Sequence, residues 1–219
     1  AFIDDTTSGF SELGQTWSKM ELDYAKWNGK SVPVFFFGGG YDTGEDNKTT
    51  RSSSSKGNAI YMVAADTQAT GKAFDLLWKA SPSAGSGNLS LSGMTSSIAS
   101  DVTPVDKTGD GNTDLIYASD VGGRIWRIDF VSDNAKNAKG GMIADFNGGS
   151  ASDNIRFFTQ PDVVYTNHGE VEYPDPTDST KVIKKKEGRY QIAIGSGFRP
   201  GPLDTGTEDH IFVINDFNV

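Results

Sequence analysis

An all-β fold built from repeated antiparallel units is what the 219-residue sequence predicts, on three observations. Glycine occupies 26 positions, above the average usage of about 7%, as tight turns demand. Apolar residues make up 36% and aromatic residues 11%, too many rings for a disordered chain. The apolar runs are short and end in Gly or Asp, and stretches with a helical period are nearly absent.

The elements follow in order. Val32 to Phe37 (VPVFFF) is β-rich and stops at Gly38-Gly39-Gly40. Ala59 to Ala65 and Ala73 to Trp78 flank the polar turn Asp66 to Gly71 and read as a hairpin. Asp114 to Ser119 and Arg124 to Phe130 form a second hairpin around Asp120-Val121-Gly122-Gly123. Within its second arm Ile125, Arg127 and Asp129 alternate with Trp126, Ile128 and Phe130, the period of a strand. Phe157 to Tyr165, Tyr190 to Gly195 and His210 to Ile214 are further strands. Asn134 to Lys139 is the best helix candidate, and it is short. Asp42 to Asn58 is low-complexity and reads as a solvated loop; Asn167 to Gly188 is irregular, with Lys184-Lys185-Lys186 a solvated basic run.

Aligned by hand, these runs repeat three times. The units open at Thr16 to Ser18, Ser96 to Ser100 and Phe158 to Pro161, and each ends in an aromatic strand closed by Asp66, Asp129 or Asp216. A strand after that Asp, Ala73 to Trp78 in the first unit, makes four. Serial four-stranded antiparallel units are the pattern of a β-propeller. The units fall at about residues 11–80, 90–150 and 155–219 of a partial domain spanning 1–219. Three cannot close a ring, since propellers use about 4–8 blades. The chain is therefore expected to be part of a larger or multi-chain propeller, with a β-sandwich as the alternative. The opening Ala1-Phe2-Ile3-Asp4-Asp5 has neither an initiator Met nor a basic stretch, so a processed or excised chain is expected.

Charge and composition narrow the chemistry. The formal net charge of −9 opposes phosphate backbones and anionic lipid, so nucleic acid and polybasic membrane docking are excluded as expectations. No apolar run is long enough to span a bilayer. Without cysteine there are no disulfides or thiolate sites, and His168 and His210 alone do not make a multi-histidine centre.

The strongest site is Asp106-Lys107-Thr108-Gly109-Asp110-Gly111-Asn112-Thr113-Asp114. Oxygen-bearing side chains stand at its alternate positions, and calcium takes about six to eight oxygen ligands. Asp106, Thr108 or its water, and Asp110 are expected to face the ion, with Asn112 offering its backbone carbonyl and Asp114 closing the site. Gly111 stands where such a loop turns sharply. Magnesium fits less well, because it prefers rigid octahedral geometry and keeps its waters. Three carboxylates repel one another without a cation, so the empty loop is expected to be destabilised or mobile. Position twelve is Tyr117 rather than Glu, and apolar residues follow, so this is an EF-hand-like loop in a β-hairpin. Asp101 and Asp120 are conceivable supplements. The alternative is an acidic turn satisfied by its own Asx bonds.

Five segments together resemble the C-terminal propeller of the PilY/PilC-type family of type IV pilus tip-associated adhesins and biogenesis factors. They are ELGQTWS (Glu12 to Ser18), VPVFFFGGGYD (Val32 to Asp42), DKTGDGNTDLIYASDVGGRIWRID (Asp106 to Asp129), IAIGSGFRP (Ile192 to Pro200) and HIFVIND (His210 to Asp216). The resemblance implies a quinoprotein-like, seven-bladed propeller, with calcium held by Asp106, Thr108, Asp110, Asn112 and Asp114. It also implies export through the periplasm to the outer surface and the pilus tip. There the partners would be minor pilins and a host or abiotic surface, and the roles pilus biogenesis, control of retraction, adhesion and twitching motility. The family's N-terminal adhesive domain and several of its blades have no counterpart here, and no Arg-Gly-Asp tripeptide occurs.

Two other functions remain open at this point. A quinoprotein-like dehydrogenase would use the same architecture, but no catalytic triad, phosphate loop or histidine metal motif supports an enzyme. Trp17, Trp78 and Trp126 are expected in the core between blades, and the glycines at Gly38 to Gly40 and Gly195 to Gly197 at strand ends rather than in nucleotide fingerprints. An integrin-like extracellular calcium-binding repeat module would carry the acidic loop in several units, and only the second has one.

Overall fold

Alternating side chains become three packed sheets in the computed structural model, which describes residues 2–130, 134–167 and 169–218. The first sheet is an antiparallel meander of β1 (Glu21–Trp27), β2 (Lys30–Gly38), β3 (Ile60–Ala64) and β4 (Leu76–Ser81), with β5 (Leu89–Ser90) added parallel to β4. The second is a meander of β6 (Thr103–Val105), β7 (Leu115–Ser119), β8 (Arg124–Asp129) and β9 (Lys139–Asp145). After β10 (Asp162–Thr166) the chain makes a separate hairpin, β11 (Glu170–Pro174) and β12 (Val182–Lys186). It then returns as β13 (Arg189–Gly195) and β14 (Ile211–Asp216), and β10, β13 and β14 form the third sheet. The chain is all-β, and none of its sheets closes on itself.

The second sheet lies between the other two. Every residue of β7 is buried, because both of its faces are covered. Ile116 and Ala118, with Trp126 and Ile128 of β8, join Trp27, Phe36, Met62 and Trp78 of the first sheet in one core. Leu115 and Tyr117 point the other way, against Tyr190 and Ile192 of β13. Full burial of an aliphatic side chain such as Leu115 or Ile116 contributes about 1.5–3 kcal/mol. A polar bridge crosses the second contact: the Arg127 guanidinium donates to Asp129 (2.6 Å) and to Asp216 (2.7 Å), and the Tyr117 hydroxyl also donates to Asp216 (2.8 Å).

Several expectations need correction. The segments Thr16 to Ser18, Ser96 to Ser100 and Phe158 to Pro161 are not the opening strands; β1, β6 and β10 follow them. The serine-rich stretch Ser96 to Ser100 directs its polar groups sideways instead. The Ser97 hydroxyl donates to the Lys56 carbonyl and accepts from the Asp42 N–H, and Ser100 pairs with Ser119. The helix expected over Asn134 to Lys139 is a single 3-10 turn, Ala135–Asn137. Gly140 and Gly141 disfavour helix, and pairing with β8 wins. The third sheet holds three strands rather than four among the described residues, and Asn167 to Gly188 contains an ordered hairpin. Its Lys184 pairs with Glu172 (3.1 Å), and every residue of β12 is exposed.

The low-complexity segment Asp42 to Asn58 is also no free loop. Glu45 is buried and accepts from the Ser52 and Ser54 hydroxyls (3.0 and 3.1 Å). Asp42 collects the N–H groups of Gly44, Ser55 and Lys56. From this folded base the segment reaches across the second sheet, where Arg51 binds Asp145 (2.7 Å) and the Gly122 carbonyl (3.2 Å). It also receives a hydrogen bond from Arg156 at the Lys48 carbonyl. Gly40, which enters this strap with φ +92°, packs so close to the Gln15 carbonyl that a side chain would collide with it.

Candidate metal centre

The acidic loop joins β6 to β7, and its base is closed by the Asp114 N–H donating to the Val105 carbonyl (2.9 Å). Its far side is fastened to the first sheet. The Thr113 N–H donates to the Tyr24 carbonyl (2.8 Å), the Thr113 hydroxyl to Asp23 (2.8 Å), and Lys26 pairs with Asp110 (3.3 Å). Gly111 takes φ +80° at the turn, a conformation costly for any residue with a Cβ.

Asp106 sits at the centre of the loop. Its carboxylate accepts from the N–H groups of Gly109 (2.7 Å), Asp110 (3.3 Å) and Gly111 (2.8 Å). The Thr108 hydroxyl approaches to 3.5 Å. Asp114 accepts from the N–H groups of Lys107 and Thr108 (both 2.8 Å). Asp110 accepts from the Asn112 backbone and side-chain nitrogens (both 3.0 Å), and the side-chain bond from Asn112 is the main reason its carboxyl is held below the usual range. The five predicted residues thus share one loop. Asp101 and Asp120 lie elsewhere: Asp101 accepts the Lys19 N–H, and Asp120 is fully buried and accepts from the Trp126 indole (2.9 Å).

Within the loop, Asx-type bonds and the Lys26 ammonium offset part of the repulsion between the carboxylates. Asn112, expected to offer its backbone carbonyl, is 3% exposed, and its side-chain oxygen is buried with no partner among the described residues. A buried oxygen without a donor is costly, and a bound cation would satisfy it. The donor set is all oxygen, which fits a hard cation. As the loop stands, no group of three or more His, Cys, Asp or Glu among the described residues is drawn together as a metal cluster. Lys26 was not foreseeable from the loop motif, because only the pairing of sheets brings β1 beside it.

Next to the loop a cleft of about 460 Å³ opens between the first strands of the second and third sheets. Those strands are tied at one end, where Thr103 donates to the Pro161 carbonyl and Gln160 to the Val102 carbonyl. At the loop end Val105, Asp106, Lys107, Val163, Tyr165 and Tyr190 line the opening. Burial pushes the Tyr190 phenol up, and the Asp114 and Asp106 carboxylates add to that rise.

The tryptophans serve packing. Trp78 and Trp126 lie in the core between the first two sheets, and Trp17 stacks on Tyr41 at 4.5 Å. His210 is exposed, and His168 lies outside the described residues.

The geometry defines an all-β chain of stacked sheets with an acidic, oxygen-rich loop at one sheet junction. A solved structure with the same architecture is the crystal structure of the Pseudomonas aeruginosa PilY1 C-terminal domain, a β-propeller-like fold. The likeness has a TM-score of 0.57 at 16% identity and covers 99% of this chain. The chain spans 40% of that domain's length. No family model and no curated protein matches the sequence.

Proposed function

We propose that this chain is a calcium-binding part of a surface protein associated with the type IV pilus, forming about three blades of a larger propeller. The observation that carries the calcium assignment is the buried, unpartnered Asn112 oxygen within a loop of oxygen donors. The fold likeness to the PilY1 domain supports the pilus assignment, together with the segments quoted from the sequence. Calcium would be held by Asp106, Thr108, Asp110, Asn112 and Asp114, and it would supply a compact divalent charge at that junction. Because Thr113 and Lys26 fasten the loop to β1, loading would stiffen the contact between the first two sheets. The surface offered to minor pilins would then depend on calcium, and with it retraction, adhesion and twitching. The role is structural and regulatory rather than enzymatic.

Calorimetry with calcium chloride tests the site. The unaltered chain is expected to release or absorb heat with a one-site isotherm, and Asp110→Ala to lose it while keeping its far-ultraviolet circular dichroism. Unchanged calcium affinity in that variant would falsify the assignment.

A further inference from the structure

The cleft beside the acidic loop has features that the calcium assignment does not use. Tyr165 of β10 lies directly opposite Tyr190 of β13. Their rings meet edge to face, with centroids 5.5 Å apart. Tyr190 forms the buried floor, while Tyr165 is half exposed and forms a side wall. No hydrogen bond from either phenol is present among the described residues. Val105 and Val163 supply apolar walls, and the Asp106 carboxylate stands at the rim. The Lys107 ammonium is also at the rim and forms no ion pair among the described residues.

We propose that this cleft binds a lysine or arginine side chain presented by a protein partner. Aromatic rings attract a cation through their electron-rich faces. Apolar walls suit the methylene stem of such a side chain, whose charged head remains near water. The charge balance selects the sign. Asp106, Asp110 and Asp114 crowd the neighbouring loop against Lys26 and Lys107, the Arg127 guanidinium near Tyr190 is already paired with Asp129 and Asp216, and the chain as a whole carries −9. A volume of about 460 Å³ accommodates the side chain with part of its backbone. Lys107 is the like charge an incoming cation meets, so it opposes binding. A cation in the acidic loop would oppose it too, and this coupling alone rests on the calcium assignment.

The test is a titration of the full chain, without calcium, with acetyl-Gly-Lys-Gly-amide and with the matched norleucine peptide, followed by NMR of the tyrosine ring protons. The lysine peptide is expected to shift Tyr165 and Tyr190 and to bind about threefold more tightly than its uncharged counterpart. Tyr165→Ala should abolish the shift at Tyr190, Tyr165→Phe should retain it, and Lys107→Gln should tighten binding. Equal affinity for the two peptides, shifts confined to other tyrosines, or weaker binding in Lys107→Gln would each overturn the proposal. Saturating calcium should weaken the lysine peptide. If calorimetry finds no calcium bound, the calcium assignment fails while the calcium-free result stands. If calcium binds and leaves lysine affinity unchanged, the loop carboxylates do not attract the ligand and the charge argument is overturned.

Discussion

The first and third sheets each turn one face with apolar residues away from the second, and the two faces are finished differently. On the first sheet, Phe37, Tyr61 and Val63 lie beneath Phe10 and Leu13 of the segment before β1. That segment is pinned by the buried Lys79 ammonium, which donates to Glu12 (2.7 Å) and to the Gly9 carbonyl (3.0 Å). On the third sheet, Val164, Ile211, Val213 and Phe217 remain exposed, and the Arg189 guanidinium is set over the Phe217 ring at 5.9 Å. The strands themselves do not explain this. The β7 sequence LIYAS and the β14 sequence IFVIND are similarly apolar, yet the first is buried on both faces and the second on neither completely. Burial is a property of the neighbour as much as of the strand.

Substitutions on the two faces can break that comparison. The largest effect is expected for Phe10→Ala on the covered face, a loss of about 3–5 kcal/mol in urea unfolding. A loss below about 1 kcal/mol would show that the leading segment is not part of the cooperative unit. A smaller, pH-dependent effect is expected on the covered side of the third sheet. Burial disfavours the Asp216 carboxylate, but hydrogen bonds from Arg127, the Asn218 N–H and Tyr117 outweigh it and hold its carboxyl below the usual range. A depressed folded-state pKa contributes stability that is complete above the ordinary carboxylate value of about 3.9 and is lost as pH falls through the folded value. The urea midpoint of the unaltered chain should therefore drop on acidification more steeply than that of Asp216→Asn, which should cost about 1.5–3 kcal/mol at neutral pH. Parallel pH profiles would remove Asp216 from the bridge. The smallest effect is expected for Val213→Ala on the uncovered face, within about 0.5 kcal/mol. A cost that grows with protein concentration would mean that this face is covered by association in solution.

Much of the architecture was legible in the residues. The alternation in Arg124 to Phe130, and the apolar runs ending in Gly or Asp, located β2, β3, β7, β8 and β13. β1 was missed because ELDYAKW mixes charges with rings: its inward residues Ala25 and Trp27 read as a strand only beside the second sheet. β9 was missed because KGGMIAD has exposed residues on both sides and owes its form to pairing with β8. The loop motif brought Asp106, Thr108, Asp110, Asn112 and Asp114 together by sequence alone, since a nine-residue turn is local. Lys26, Tyr165 and Tyr190 reach the same neighbourhood only through sheet stacking, which no local pattern encodes.

The strap between β2 and β3 bears on the order in which the molecule assembles. Its grips are far downstream: Arg51 and Asp145 are separated by 94 residues, and Lys48 and Arg156 by 108. Contacts of such separation incur their loop-closure entropy before they return any stability, which slows folding. During synthesis the base of the strap can already close on itself and on the leading segment, while the partners of Arg51 and Lys48 have yet to emerge. The first sheet can pair its strands early, but the Lys48 to Arg51 crest of the strap must wait, hydrated, until the chain reaches Asp145 and Arg156. Its sequence suits that interval: a polar segment with few apolar residues offers little for a premature neighbour to capture.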